Sequence, residues 1–191
     1  MTDPLSKRLD QILPKLISEG FLSSRGIGNE IAFYVFDYPP EEELRIRKHI
    51  EFLVKHLPRH RKDLRIKHIN LFDFAIGHLE QRELLGKALD LEREKGDRFL
   101  LRQLEKILHP SKFAPAFAEA AQPSRHDLVF VSGVGSVYPL LRTHALLNNL
   151  HSVMGQTPLI LFYPGRYDGQ SLRLFGKLKN DNYYRAFKLV P

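Results

Sequence analysis

The sequence DLVFVSGVGS, residues 127–136, decides the fold class. Its first half, Asp127–Val131, is apolar after the first residue and predicts a β-strand. Its second half, Ser132–Ser136, is rich in glycine and serine and predicts a turn. A helix is predicted shortly afterwards, over residues 139–150. The segment therefore has the order strand, turn, helix, from which α/β folds are built.

Strand and helix patterns alternate along the rest of the chain. Ile31–Phe36 is a nearly unbroken run of β-branched and aromatic residues, as in strands buried on both faces. Further strands are predicted over residues 65–72, 158–163 and 182–190, and helices over 4–19, 41–57, 73–89, 97–108 and 114–121. This alternation favours an α/β fold with a mainly parallel sheet flanked by helices, in a Rossmann-like or P-loop-like layer architecture.

Prolines and glycines mark several predicted boundaries. Asp3 as N-cap and Pro4 at the first helical position predict where the first helix begins. Pro14 is expected to kink or divide this helix, and Gly20 to close it. Pro58 is expected to end the helix that begins near residue 41.

An antiparallel hairpin is predicted at the C-terminal edge of the sheet. Asp168-Gly169 lies between two apolar runs, Leu159–Tyr163 and Ser171–Phe175, which is a hairpin pattern. Neither an internal repeat nor a low-complexity linker divides the chain. Residues 1–191 are therefore predicted to form a single domain.

Composition excludes several classes of protein. The chain has 191 residues, 43% of them hydrophobic, and no cysteine. A disulfide framework, a thiol nucleophile and cysteine-bound zinc are therefore excluded. No apolar run approaches the roughly 18 residues of a membrane span, and the N-terminus lacks a signal-peptide pattern. A cytoplasmic protein without a membrane partner is predicted.

The positive charge is concentrated in one segment. The net charge is +7 and the pI is about 9.6. Six cations lie close together with only Asp63 opposing them: Lys55, Arg59, Arg61, Lys62, Arg65 and Lys67. Such a cluster is a candidate for contact with the DNA backbone. The alternatives are a solvated helix end or a surface for an acidic protein, and DNA is the less favoured partner.

The turn after the predicted third strand is a candidate anion site. Its candidate ligands are Ser132, Gly133, Gly135, Ser136 and the following Arg142. The dinucleotide fingerprint would need glycine at position 138, which is tyrosine, and a tight packing turn is the favoured alternative. Both Gly-Lys pairs, at 86–87 and 176–177, lack the other residues of a Walker A motif. No cofactor is predicted.

Histidines and carboxylates form no recognisable catalytic or metal motif. The nine histidines lack the spacing of a zinc helix, and Pro58 is expected to interrupt the helix between His56 and His60. Asp37 ends a predicted strand, where catalytic carboxylates often occur, but turn residues are equally common there. No nucleophile, base and acid set is identified, so the chain is predicted to be neither an enzyme nor a metal-binding protein.

Aromatic and arginine side chains are concentrated near the C-terminus. Candidates for contact with a partner protein are Tyr163, Arg166, Tyr167, Tyr183, Tyr184 and Arg185. The alternative is an aromatic core beneath the hairpin. Both are compatible, because alternate residues of a strand face opposite ways.

Four motifs occur in a fixed order. They are FDYP (36–39), SGVGSVYP (132–139) with Arg142 and HALLNNL (144–150), FYPGRY (162–167), and LRLFGKL (172–178) leading into NYYRAF (182–187). Over residues 5–190 the chain resembles the BrxB family of bacterial BREX phage-defence systems.

The resemblance implies a small BREX component without an established catalytic activity. Such systems pair methylation of host DNA with a block on phage replication. The family is encoded with a large ATPase, an adenine methyltransferase and PglZ, a protein of the alkaline phosphatase superfamily. PglZ is the first partner that the resemblance implies, with the ATPase and methyltransferase as further ones.

Overall fold

The computed structural model describes residues 3–23, 33–179 and 186–191. The strands in these residues are β1 (Phe33–Tyr38), β2 (Ile66–Asn70), β3 (Leu128–Ser132), β4 (Leu159–Tyr167), β5 (Leu172–Leu174), β6 (Leu178–Lys179) and β7 (Phe187–Lys188). Five of them lie in the order β2-β3-β4-β1-β7, and all four neighbouring pairs are parallel. The predicted α/β class with a mainly parallel sheet is confirmed.

Helices cover both faces of this sheet. They are α1 (Pro4–Ile17), α2 (Glu19–Ser23), α3 (Glu43–His60), α4 (Leu71–Gln81), α5 (Leu85–Lys95), α6 (Asp97–Ile107), α7 (Pro110–Ala121), α8 (Val134–Val137) and α9 (Thr143–Met154). Residues of α1, α2 and α3 form one apolar cluster with Phe36, Phe130 and Phe162. Residues of α4 to α9 form the other with Val131 and Leu161. The central strands are therefore buried on both faces, as their apolar runs predict.

The predicted hairpin is formed by an extension of β4. Up to Pro164 this strand pairs in parallel with β1, and beyond it Gly165, Arg166 and Tyr167 pair antiparallel with β5. The strand β6 then pairs antiparallel with β5. Asp168 stabilises the turn, because one of its carboxylate oxygens accepts hydrogen bonds from the backbone N–H groups of Gln170 (2.9 Å) and Ser171 (2.7 Å).

Two predicted helix ends, at Gly20 and Pro58, are wrong, and of the two alternatives at Pro14 the division of the helix is wrong. Helix α1 is not divided at Pro14, and α3 continues past Pro58 to His60. Each proline loses one backbone hydrogen bond, but Leu16 and Leu57 in the same turns are fully buried, so tertiary packing outweighs local propensity. Gly20 does not end a helix but lies inside the short α2.

Two further helices differ from the predictions. The stretch predicted as one helix over 73–89 is divided into α4 and α5, and Glu83 between them has a left-handed backbone with φ of 57°. The helix predicted from Pro139 begins only at Thr143. Tyr138 and Arg142 both have extended backbones, the former because a following proline disfavours the helical region. The segment predicted as a turn, Ser132–Ser136, contains the first three residues of the short helix α8.

None of the helices in the described residues combines the length and the hydropathy that a membrane span requires.

Candidate functional site

The carboxyl ends of the parallel strands place polar side chains along one edge of the sheet. Ligands of open α/β sheets bind at this edge. A first cavity of about 510 Å³ lies between α3, β2 and α4, and its lining includes Arg47, Lys67, His68, Asp73 and Ser132. A second cavity of about 250 Å³ lies between the start of α9 and the hairpin.

Ser132 and His68 form a pair in the wall of the first cavity. Ser132 ends β3 and is buried, and its Oγ lies 2.8 Å from Nε2 of His68 on the neighbouring β2. Serine beside imidazole combines a nucleophile with a base, but no carboxylate of the described residues is hydrogen-bonded to this imidazole. The bond links β2 to β3. Sequence reasoning missed the pair, because His68 lies in the middle of one predicted strand and Ser132 in the turn after the next.

Gly133 and Asn70 pack the turn against the start of α4. Gly133 has a left-handed backbone with φ of 74°, and a Cβ placed on it would lie 2.0 Å from Oδ1 of Asn70. That oxygen accepts hydrogen bonds from the backbone N–H groups of Phe72 (3.0 Å) and Asp73 (3.5 Å), which caps the helix. At Gly133 the turn therefore packs tightly against the residue that caps α4.

The other small residues of the turn are also engaged in packing or hydrogen bonds. A Cβ on Gly135 would lie 3.0 Å from the ring of Phe175 and 3.1 Å from Pro164. The hydroxyl of Ser136 accepts a hydrogen bond of 3.2 Å from Nη2 of Arg47, which is also paired with Glu43 at 2.8 Å.

The five predicted anion ligands therefore do not converge on one point. Ser132 lines the first cavity and Arg142 lines the second, whereas Gly133, Gly135 and Ser136 take part in the contacts described above. The helix that follows the turn has only four residues, Val134–Val137. The longer helix α9 begins further along, directly after Arg142.

The second cavity combines cationic and hydroxyl groups. Arg142 and Thr143 come from the start of α9, Tyr163 from β4, and Lys177 from the turn between β5 and β6. Tyr163 is fully buried, and its hydroxyl has no hydrogen-bond partner among the residues that the structure describes. Burial raises the pKa of Tyr163, which further favours the protonated hydroxyl that can donate a hydrogen bond.

The residues predicted to contact a partner have different environments. Tyr163 and Tyr167 are buried, so they belong to the aromatic core beneath the hairpin. Arg166 is exposed. The hydroxyl of Tyr167 lies 2.6 Å from the carbonyl oxygen of Ala186 and 3.0 Å from that of Gly169. Three further candidates lie outside the described residues: Tyr183, Tyr184 and Arg185.

An exposed apolar surface occurs where sequence reasoning did not place one. Tyr138, Phe175 and Leu178 are 37%, 36% and 37% exposed, and the first two rings meet edge to face with centroids 6.3 Å apart. We call these three residues the hairpin surface. Arg142 and Lys177 lie beside it, because they line the same cavity as Tyr138 and Leu178. Tyr138 follows α8 whereas Phe175 and Leu178 belong to the hairpin, so only the fold brings these residues together.

Both carboxylate oxygens of Asp37 take part in contacts that join elements of the fold. One carboxylate oxygen lies 2.7 Å from Nη2 of Arg8 on α1, and the other accepts a hydrogen bond of 2.9 Å from the backbone N–H of Tyr167. The carboxylate thus links α1, β1 and the extension of β4, and both of its oxygens are engaged.

The predicted basic cluster is divided by the fold. Arg65 is paired with Asp127 at 3.1 Å, and Lys67 is half-buried in the first cavity. The other four cations are exposed at the end of α3 and in the loop before β2, and we call them the basic surface: Lys55, Arg59, Arg61 and Lys62. Because β2 begins directly after this loop, the basic surface lies at the amino edge of the sheet.

The predicted helix break at Pro58, which would keep His56 and His60 from sharing a metal ion, does not occur. His56 and His60 lie one turn apart on the same helix, without the predicted break. Nδ1 of His56 lies 2.7 Å from the carbonyl oxygen of Phe52. Within 3–23, 33–179 and 186–191, no three histidine, aspartate or glutamate side chains are grouped so that they could hold a metal ion.

Comparisons with known proteins agree along the length of the chain. A family model described as BREX protein BrxB matches residues 67–189. A BREX protein BrxB of Bacillus cereus (strain H3081.97) is 40% identical over 190 residues, which is 97% of each chain. Another, from Escherichia coli O9:H4 (strain HS), is 40% identical over 192 residues, covering 100% of this chain and 94% of the relative. No solved structure matches.

The fold and the site define an α/β protein with helices on both faces of a parallel sheet and two polar cavities at its carboxyl edge. The chain belongs to the BrxB family, as its ordered motifs predict. It is therefore a component of a BREX phage-defence system, in which it works with other BREX proteins.

Proposed function

We propose that this chain is a non-catalytic adaptor in the cytoplasm that docks onto PglZ within a BREX assembly. PglZ is named because the family resemblance implies it as the first partner, and the BREX ATPase and methyltransferase are further candidates. The observation that carries the proposal is the hairpin surface.

The composition of this surface favours protein binding. Aromatic side chains and arginine are enriched at protein interfaces, where a few of them supply most of the binding energy. Tyr138 and Phe175 supply the aromatic area, and Arg142 and Lys177 lie beside them. The two cations favour a partner surface that carries acidic groups.

The surface is also held rigidly. The ring of Phe175 lies against the turn at Gly135, and its backbone N–H donates a hydrogen bond of 2.9 Å to the carbonyl oxygen of Pro164 in the central strand β4. A side chain that is already ordered loses little conformational entropy on binding. The hairpin surface therefore has the preorganisation expected of a docking site.

A binding measurement with purified proteins tests this proposal. Isothermal titration of PglZ with the chain is expected to show a stable complex at micromolar concentration. The substitution Phe175→Ala is expected to weaken its Kd at least tenfold, about 1.4 kcal/mol. The matched control is Phe52→Ala, because Phe52 is 45% exposed but lies on α3, in another part of the fold. No association at micromolar concentration, or equal effects of both variants, contradicts the proposal.

The basic surface supports a second candidate function, binding of DNA as an accessory subunit. Its four cations are exposed and make no ion pair with the described residues. Cations placed in this way are available to phosphate groups of a nucleic acid. Retardation of duplex DNA at low salt tests this candidate, and its absence excludes it.

A further inference from the structure

We propose that the second cavity is a binding site for a phosphate group. This function goes beyond partner binding and does not depend on it. Four separate features of the described residues lead to the same ligand: charge, a helix N-terminus, a buried hydroxyl and size.

Charge is the first feature. Arg142 and Lys177 come from distant parts of the sequence and line the same cavity. Neither is in an ion pair with the described part of the chain. A guanidinium binds two phosphate oxygens at once, and an ammonium adds a point charge, so the pair suits a doubly charged oxyanion.

The start of α9 supplies backbone donors. This helix has 12 residues, and its N-cap residue Arg142 makes no side-chain hydrogen bond to the first turn. The first N–H groups of a helix lack partners within it, and they carry a partial positive charge that favours anions. Thr143, the first residue of the helix, is only 5% exposed and lines the cavity.

The hydroxyl of Tyr163 is an independent observation that points to a hydrogen-bonding ligand. Its side chain is fully buried and lines the cavity, yet its hydroxyl has no partner among the described residues. Buried hydroxyl groups are normally hydrogen-bonded, because leaving one unpaired destabilises the fold. A phosphate oxygen in the cavity would accept a hydrogen bond from this hydroxyl.

The size of the cavity limits the ligand. Its volume of about 250 Å³ is below the roughly 300–1,000 Å³ of pockets that enclose whole organic ligands. It therefore suits a phosphate group alone, either as the free ion or as the end of a monoester. In the latter case the rest of the ligand lies outside, towards the exposed ring of Tyr138.

Titration of the purified chain with inorganic phosphate tests the proposal, with the ionic strength held constant by sodium chloride. Melting temperature and ³¹P NMR line width are measured together. At ten times the Kd, the melting temperature is expected to rise by about 3–6 °C. Because phosphate also stabilises proteins by exclusion from their surface, the signal is the difference between wild type and variants.

Three variants give that difference. Arg142→Gln and Tyr163→Phe are each expected to raise the Kd for phosphate at least tenfold. Lys87→Gln removes the same charge as Arg142→Gln from an exposed position on α5 and is expected to bind as the wild type does. Without phosphate, Tyr163→Phe is expected to melt at a temperature equal to or above the wild type, because it removes an unpaired buried hydroxyl.

The source of the phosphate is distinguished with adenosine monophosphate. An equal Kd for the free ion and the nucleotide assigns recognition to phosphate alone. A tighter Kd for the nucleotide that is lost in Arg142→Gln assigns the ester as the natural ligand. The proposal is overturned if phosphate shows no saturable binding, or if its Kd is unchanged in both Arg142→Gln and Tyr163→Phe. Binding to PglZ is measured separately, so failure here leaves the adaptor proposal standing.

Discussion

The substitution Gly133→Ala tests the packing of the turn at the carboxyl edge. A left-handed backbone costs a residue with a Cβ about 1–2 kcal/mol. The new Cβ would also lie 2.0 Å from Oδ1 of Asn70, which must then leave the backbone N–H groups that it caps. Loss of an N-cap costs about 0.5–2 kcal/mol, so the expected destabilisation is about 1.5–4 kcal/mol.

Urea denaturation measures this loss as a shift of the unfolding midpoint. With a slope of about 2.5 kcal/mol/M, the midpoint is expected to fall by about 0.6–1.6 M. The matched control is Gly77→Ala in α4, the helix that Asn70 caps. A Cβ on Gly77 meets nothing within 4 Å, so this variant is expected to gain about 0.5–1 kcal/mol.

A double-mutant cycle isolates the contact between the two residues. In a chain that already carries Asn70→Ala, the cap is absent and the clash is relieved. Gly133→Ala is then expected to cost only its backbone part, about 1–2 kcal/mol. A Gly133→Ala variant within 0.5 kcal/mol of the wild type, or strictly additive effects in the cycle, would refute the reasoning.

Two more predictions concern charge. The pKa of Asp168 is lowered by hydrogen bonds from the backbone N–H and hydroxyl of Ser171 and from the backbone N–H of Gln170. The charged carboxylate therefore stabilises the folded state at pH values above its unfolded pKa of about 3.9. This stabilisation is lost as the pH falls below that value. Circular dichroism melts from pH 7 to pH 2 should therefore show a smaller decline for Asp168→Asn than for the wild type, and equal declines would contradict the assignment. If the basic surface meets DNA, the slope of log K against log salt should be about −3 to −4 for four phosphate contacts and shallower by about 0.9 in Arg59→Gln; a flat response would exclude the contact.

The strands and the sheet could be predicted because their signal is local. Apolar runs such as Phe33–Phe36 and Leu128–Val131 favour burial on both faces, and the two apolar clusters at the sheet supply it. The prolines failed as boundaries for the opposite reason. Local propensity predicts a helix break at Pro14 and at Pro58. Both helices continue because the burial of Leu16 and Leu57, which depends on the rest of the fold, outweighs this propensity.

The candidate site was only partly predictable because it is assembled from distant segments. Arg142 could be selected from the sequence, but its neighbours Tyr163 and Lys177 reach it through the β4 and β5 pairing. The contact between His68 and Ser132 depends on the register of two strands 64 residues apart. Asp37 stood at a strand end that suits catalysis, yet its carboxylate is engaged by Arg8 and by the backbone N–H of Tyr167.

The most direct test of the adaptor proposal is purification of the tagged chain from cells that carry a complete BREX operon, with bound proteins identified by mass spectrometry. The wild type and Phe52→Ala are expected to retain PglZ at a constant ratio, and Phe175→Ala to lose most of it. Recovery of the tagged wild-type chain without PglZ, or undiminished PglZ with Phe175→Ala, would contradict the account.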